Sequence, residues 1–90
     1  MNTQIIRECK EYIDANKHEE LQEFFAELIN SEFDGRPDWP TIFQAVYIHA
    51  CLKKRAETAA WLQTLFSQFD PAIQIAYRQV FFYGNWLLAK

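Results

Sequence analysis

Apolar residues recur every three or four positions along most of this chain, a spacing typical of amphipathic helices. Five such stripes follow one another: Ile5, Ile6, Cys9, Tyr12 and Ile13; Leu21, Phe24, Phe25, Leu28 and Ile29; Ile42, Phe43, Val46, Tyr47, Ala50 and Cys51; Ala56, Ala59, Ala60, Trp61, Leu62, Leu65, Phe66 and Phe69; and Ile73, Ala76, Tyr77, Val80 and Phe81. The pattern predicts an all-α fold of about five helices that stack as antiparallel hairpins, with a short truncated helix at the C-terminal end.

Side chains that can cap a helix mark where these helices begin and end. We expect Thr3 and Asn16 to cap the first two helices, because their side-chain oxygens can accept a hydrogen bond from a free first-turn N–H. Asp38 and Asp70 each come shortly before a proline, which suits the first turn of a helix because it has no N–H to leave unpaired. Gly84 is placed to end the last long helix in the left-handed conformation.

The composition favours one small, well-packed domain. Half of the 90 residues are hydrophobic and 17% are aromatic, and only two glycines and three prolines interrupt them. Because disordered chains have the opposite composition, we predict a single helical domain over residues 1–90. It comprises a hairpin over 3–30, a stiff loop over 31–38, a hairpin over 40–69 and terminal helices over 71–90.

Nothing in the sequence indicates export or membrane insertion. The first residues, Met1-Asn2-Thr3-Gln4, lack the basic segment and apolar run of a signal peptide. No apolar run approaches the ~20 residues that span a bilayer. We therefore expect a cytoplasmic protein with no membrane partner.

Charge is distributed unevenly along the chain. Residues 1–38 contain ten acidic and four basic residues, so 4 − 10 = −6, whereas residues 39–90 contain two acidic and five basic residues, so 5 − 2 = +3. The acidic part repels phosphate, and we expect no nucleic-acid partner. Such an acidic surface favours either solubility alone or association with a basic protein.

The acidic residues are concentrated on one predicted helix and in the loop that follows it. Glu19, Glu23 and Glu27 are spaced i, i+4, i+8 with no base between them, and like charges at this spacing destabilise a helix. A solvated face explains the stripe, and so does a docking face for a basic protein, on which such charges speed association. The residues predicted to bind a partner are Glu19, Glu20, Glu23, Glu27, Glu32, Asp34 and Asp38.

No catalytic or metal-binding pattern stands out. Cys9 and Cys51 each lie on an apolar stripe, so we expect buried free thiols. His49 and Cys51 are two positions apart on a helix, which turns their side chains about 200° apart and disfavours a catalytic pair. His18, in a polar turn, has no partner that the sequence identifies. We predict a non-enzymatic protein with no metal and no cofactor.

Two further groups of residues offer alternative surfaces. The Lys-Lys-Arg run at 53–55 can cap the carbonyls of the preceding helix, or touch an acidic partner or nucleic acid. The C-terminal segment carries more large aromatic residues than one narrow buried stripe requires, namely Phe82, Tyr83 and Trp86. With Trp39, they favour an alternative function as a generic helical-repeat interaction module or a self-associating one, for example a homodimer.

Parts of the chain are self-similar. Asn16 to Phe25 aligns with Lys53 to Leu62 at an offset of 37 (53 − 16 = 37), and Tyr83-Gly84-Asn85 aligns with Lys53-Lys54-Arg55 at an offset of 30 (83 − 53 = 30). His18 with Glu20, Ala50-Cys51 before the turn, and Gly84 resemble degenerate ankyrin repeats. The resemblance implies antiparallel helix pairs that must stack to bury their apolar faces.

The closing segment carries a second resemblance, spread over about twenty residues. Its pattern is Phe69-Asp70-Pro71, Ile75-Ala76, Arg78-Gln79, Phe81, Tyr83-Gly84 and Leu87-Leu88. With the small size, the acidity and the helical make-up, it resembles the immunity proteins of bacterial polymorphic-toxin systems, of the Maf and contact-dependent-inhibition kind. That resemblance implies tight binding to a cognate toxin domain, often a basic nuclease, whose active site the immunity protein covers.

Overall fold

Six α-helices make up the part of the chain that the computed structural model describes, which is residues 2–30, 38–69 and 71–90. They are α1 (Asn2–Asp14), α2 (His18–Asn30), α3 (Trp39–Leu52), α4 (Ala56–Phe69), α5 (Pro71–Ala76) and α6 (Arg78–Ala89). The predicted all-α fold is confirmed, and these described ranges contain no strand. Among the six helices, none has the length and apolar character needed to cross a membrane.

The central helix is α3, against which α1, α4 and α6 pack. A helix that is covered on several sides needs apolar residues around most of its circumference. Its buried residues accordingly occupy more than one stripe: Ile42, Phe43, Val46, Tyr47, Ala50 and Cys51. By contrast, α1 buries Ile5, Cys9 and Ile13 at i, i+4, i+8 along a single line.

Aromatic rings from four helices form one connected cluster in the core. The ring of Phe25 on α2 lies 5.6 Å from the ring of Phe66 on α4, centroid to centroid. Phe43 on α3 lies 4.9 Å from Phe66 and 5.7 Å from Phe81 on α6. Such tilted and edge-to-face pairs stabilise a core beyond the area they bury, which suits a chain this short.

The turn after α1 is a Schellman motif. The Asn16 N–H donates to the Ile13 carbonyl at 3.0 Å, and the Lys17 N–H donates to the Tyr12 carbonyl at 2.8 Å. Asn16 has a positive φ of 58°, the left-handed conformation that ends a helix in this motif. Asparagine tolerates this conformation better than most residues other than glycine.

The turn after α3 repeats that geometry without a turn-forming residue. The Lys54 N–H donates to the Cys51 carbonyl at 3.1 Å, and the Arg55 N–H donates to the Ala50 carbonyl at 2.9 Å. Lys54 has a φ of 60° and so corresponds to Asn16. The structural offset between the two turns is therefore 54 − 16 = 38, which corrects the sequence alignment by one position.

At this offset four buried positions of the first hairpin match buried positions of the second. Ile5, Cys9, Ile13 and Leu21 correspond to Phe43, Tyr47, Cys51 and Ala59, and all eight are buried. The α1–α2 and α3–α4 hairpins thus share their turn geometry and one line of buried positions, whereas α3 and α4 bury further residues that have no buried counterpart in α1 and α2. The predicted alignment of residues 83–85 with residues 53–55 is wrong, because residues 83–85 lie inside α6 and form no turn.

Two predicted caps at the start of the chain are wrong. Thr3 lies inside α1, which includes Asn2. Asn16 is the left-handed residue that follows α1, and α2 begins after it, at His18. The Lys17 carbonyl accepts a hydrogen bond from the Leu21 N–H at 3.1 Å, so Lys17 stands at the position expected for Asn16.

The predicted start of α3 is confirmed. The Asp38 carboxylate accepts hydrogen bonds from the Thr41 N–H at 3.3 Å and from the Thr41 hydroxyl at 2.7 Å, and Pro40 lies in the first turn. The corresponding prediction for Asp70 and most of the predicted loop, residues 31–37, lie outside the described residues.

The predicted helix end at Gly84 is wrong. The helix is interrupted earlier, at Tyr77. There α5 has ended and α6 is about to begin, and α6 continues through Gly84 to Ala89. Gly84 is buried, and a Cβ atom built on it would come within 2.6 Å of Tyr47 Cε1 and 2.9 Å of Cys51 Sγ. Glycine is needed here for the close approach of α6 to α3.

Candidate partner-binding face

Four glutamates form an exposed band along the outer side of α2. At 100° per residue their positions fall within an arc of about 100°. The middle of that arc is opposite Leu21 and Phe25, which are buried in the core. This acidic band consists of Glu19, Glu20, Glu23 and Glu27, all four of which are exposed.

No basic side chain of the described residues neutralises the acidic band. Residues 18–30 contain no lysine or arginine. In the described ranges the ion pairs join Asp14 to His49 and to Lys53, and none includes a residue of the band. The band therefore presents to solvent, on one side of one helix, four carboxylates that no described basic side chain pairs.

The helix dipole affects the four glutamates of the band differently. Glu19 and Glu20 lie in the first turn of α2, where the positive end of the helix dipole stabilises a carboxylate. Glu27 lies at the start of the last turn, near the negative end, and gains nothing from the dipole. The fold thus explains the charges at 19 and 20 better than those at Glu23 and Glu27.

The other three residues predicted to bind a partner are not brought into this band by the described structure. Glu32 and Asp34 lie outside the described residues. Asp38 is exposed, but its carboxylate holds the first turn of α3 through Thr41. Asp38 therefore has a structural role that the residues of the band lack.

His18 fixes the start of α2 against α4. Its Nδ1 lies 3.0 Å from the hydroxyl of Thr58, a buried residue of α4, and its Nε2 lies 3.0 Å from the Gln22 amide nitrogen. The ring also packs edge-on to Trp61 at 5.6 Å. Both ring nitrogens are thus engaged, and the helix that carries the acidic band is held in a fixed position. No local sequence pattern indicates this contact, because Thr58 is 40 positions away.

The basic turn after α3 contacts the ends of neighbouring helices instead of capping α3. The Arg55 guanidinium donates to the carbonyl oxygens of Ile13 at 3.2 Å and Asp14 at 3.5 Å. The Lys54 ammonium donates to the Leu87 carbonyl of α6. Positive groups at these C-terminal ends stabilise the carbonyls that no helical N–H reaches.

Asp14 and His49 join the C-terminal ends of α1 and α3. His49 Nε2 lies 2.7 Å from Asp14 Oδ1, and Lys53 Nζ lies 3.9 Å from the same oxygen. The hydrogen bond from His49 lowers the pKa of Asp14 below its ordinary value of 3.8, with smaller contributions from the charges of His49, Lys53 and Arg55. This contact is structural, because it connects two packed helices.

The cysteines are buried free thiols, as predicted. Burial, assisted by the neighbouring charge of Glu8, raises the pKa of Cys9 to about 12, and burial also raises the pKa of Cys51. His49 bonds Asp14, so it does not activate Cys51. Across the described ranges, no three His, Cys, Asp or Glu side chains are grouped so that they could hold a metal ion.

The outer side of α6 is the second conspicuous surface. Phe82, Tyr83 and Trp86 are 69%, 49% and 54% exposed. The Tyr83 and Trp86 rings stack at 5.9 Å with 19° between their planes, and the Lys90 ammonium lies 4.7 Å from the Trp86 ring centre. Trp39, which we expected on the same interface, is half-buried and packs 5.9 Å from Phe66 in the core.

Comparison with known proteins adds no relative from which a function could be carried over. No protein-family model, no curated protein and no solved structure matches this chain. The acidic band and the outer side of α6 are therefore interpreted from their own chemistry.

Proposed function

We propose that this chain is a non-enzymatic binding protein whose acidic band docks on a basic protein surface. The observation that carries the proposal is the set of four exposed carboxylates on α2, which form no ion pair within residues 2–30, 38–69 and 71–90. Each like-charged i, i+4 pair destabilises a helix by about 0.2–0.5 kcal/mol, and a lysine at position 23 would remove that cost. A cationic partner turns the same charges into attraction and speeds the encounter of the two proteins.

Within this class, we propose an immunity protein that neutralises a cognate toxin, most specifically a basic nuclease domain. A nuclease binds the phosphates of its substrate with positively charged groups, so its active site attracts a row of carboxylates. A rigid acidic helix that occupies the site excludes the nucleic acid by charge and by volume. The resemblance of residues 69–88 to such proteins supports the same proposal.

A three-variant comparison tests the docking face. The first variant is Glu23→Lys/Glu27→Lys, which reverses half of the band. The matched control is Glu11→Lys/Glu57→Lys, which changes the net charge equally at exposed positions of α1 and α4. Each protein is immobilised and exposed to a lysate of the source cells, and retained proteins are identified by mass spectrometry.

We expect a basic protein to be retained by the wild type and the control and lost from the band variant. Stopped-flow mixing with that partner then measures association rates. At low salt the band variant should associate at least about tenfold more slowly, and the difference should shrink as salt screens the charges. Equal association rates for all three proteins at low salt would reject the acidic band as the docking face.

The nuclease assignment is tested separately. The purified partner should degrade nucleic acid, and one equivalent of the chain should suppress that activity. A partner that binds through the band but cleaves no nucleic acid would retain the docking face and reject the nuclease.

The duplicated hairpin favours a second candidate, a generic helical-repeat interaction module. The α1–α2 and α3–α4 units share one turn geometry and one line of buried positions, and stacked similar hairpins are how repeat proteins build extended binding surfaces. A module of that kind would retain its partner in the band variant as well as in the control. The three-variant comparison therefore also separates the two candidates.

A further inference from the structure

The aromatic residues on the outer side of α6 are not needed to hold α6 in place. The side that faces α3 is occupied by Phe81, Gly84 and Leu87, all of which are buried. Phe82 and Trp86, spaced i, i+4, share the opposite side. Exposed apolar groups of this size on one small helix mark a surface that another molecule covers.

The charge around this surface is of one sign. Residues 71–90 contain no aspartate or glutamate, and their charged side chains are Arg78 and Lys90, at the two ends of α6. Lys90 lies over the Trp86 ring. We use the name aromatic–basic ridge for these five exposed residues: Arg78, Phe82, Tyr83, Trp86 and Lys90.

A second copy of this chain is a poor occupant of the ridge. A two-fold pairing of α6 helices would bring the Arg78 and Lys90 side chains of both copies together, with no aspartate or glutamate in residues 71–90 to offset them. The outer side of α1 offers no apolar match either, because Arg7 and Glu11 are exposed there and none of the exposed large hydrophobic residues of the described chain lies on α1.

Single-stranded nucleic acid suits the charge of the ridge but not its rings. Binding of single strands depends on aromatic faces on which successive bases stack. The Trp86 ring already stacks on Tyr83 and carries the Lys90 ammonium over its face. A base would have to displace one of these two contacts before it could stack on Trp86, which leaves Phe82 as a single exposed ring instead of a row of stacking faces.

We propose that the aromatic–basic ridge binds an acidic protein segment that carries large apolar anchors. An amphipathic helix laid along α6 would cover Phe82 and Trp86 with its apolar side, and its flanking carboxylates would reach Arg78 and Lys90. The inference is independent of the acidic band, because it concerns a different helix and a partner of opposite charge.

The test uses a display library of random peptides long enough for about four helical turns. Selection is made on the whole chain, and enriched peptides are then measured by fluorescence anisotropy. Trp86→Ser removes the central ring of the ridge. Leu52→Ser is its matched control, because Leu52 is also 54% exposed but lies in a groove between α1 and α3. Circular dichroism and urea unfolding verify that each variant is folded.

A second pair of variants tests the charge. Arg78→Glu/Lys90→Glu reverses both ends of the ridge, and Arg7→Glu/Lys17→Glu makes the same change in net charge at exposed positions of α1 and its turn. We expect enriched peptides to be net acidic, with large apolar residues at helical spacing. Trp86→Ser and Arg78→Glu/Lys90→Glu should each weaken their binding about tenfold or more, and the two controls by less than about twofold.

The proposal fails if no peptide is enriched, if the enriched peptides show no preference for acidic residues, or if Trp86→Ser binds them as well as Leu52→Ser does. It is also overturned if oligothymidylate binds the chain more tightly than the peptides. Sedimentation velocity supplies the last criterion, because a concentration-dependent dimer that Trp86→Ser abolishes would assign the ridge to a second copy.

Discussion

Gly84 on α6 lies so close to Tyr47 on α3 that the two helices leave no room for a methyl group between them. A Cβ atom at position 84 would come within 2.6 Å of Tyr47 Cε1 and 2.8 Å of its hydroxyl oxygen. Tyr47 is fully buried and its ring stacks at 5.3 Å on Phe43, so it has little room to move aside. This contact sets the distance at which α6 packs.

Gly84→Ala should therefore destabilise the protein, although alanine favours a helix by about 1 kcal/mol over glycine. Forcing a methyl group into a packed core costs about 1–3 kcal/mol, and here it also strains the Cys51 contact. Urea unfolding gives the free-energy change. The control is Asn85→Ala at the next, exposed position, where a small gain from helix propensity is expected. A gain in stability for Gly84→Ala as well would contradict the close packing of α6 on α3.

Asn16 should be replaceable by glycine but not by alanine. Its φ of 58° is a conformation that glycine adopts freely. Alanine has a Cβ atom but no polar side-chain group that could hydrogen-bond to the nearby backbone, so it is disfavoured there by roughly 1 kcal/mol. We expect Asn16→Ala to lower the free energy of unfolding by about that amount, while Asn16→Gly leaves it unchanged or raises it slightly. Equal effects of the two substitutions in thermal or urea unfolding would show that the turn after α1 does not use the left-handed conformation.

The contact between Asp14 and His49 should make stability depend on pH in the acidic range. The folded state lowers the pKa of Asp14 below 3.8, so the contact contributes fully above that value and is lost as the pH falls through the lowered pKa. The stability difference between wild type and Asp14→Asn should accordingly shrink below about pH 4. In a His49→Ala background the same comparison should vary less with pH, since the hydrogen bond from His49 is the largest cause of the shift. An unchanged pH dependence in that background would assign the effect to Lys53 and Arg55.

The parts of the fold that the sequence predicted depend on interactions within one or two helical turns. Apolar spacing located α1 to α4, and the cap of α3 by Asp38 involves Thr41, only three positions away. The exposure of the acidic band also follows from spacing, because the carboxylates fall opposite the buried stripe of α2.

The features that the sequence did not predict depend on contacts between residues that are far apart in the chain. Gly84 was interpreted from its local preference for helix ends, but its contact with Tyr47 decides its role. His18 meets Thr58, 40 positions away, and Arg55 reaches Ile13, 42 positions away. Such partners depend on how the hairpins stack, and no local pattern records that.

The acidic band should lower the stability of the isolated protein, and this can be measured without knowing the partner. Glu23 lies one turn from Glu19, Glu20 and Glu27, so Glu23→Lys converts three repulsions into three attractions. At low salt we expect Glu23→Lys to raise the free energy of unfolding by about 1–3 kcal/mol, with Glu23→Gln roughly halfway between it and the wild type. Both gains should diminish at high salt. If Glu23→Lys is instead less stable than wild type, the carboxylate at position 23 serves the fold itself, and the reason for assigning the band to a basic partner is lost.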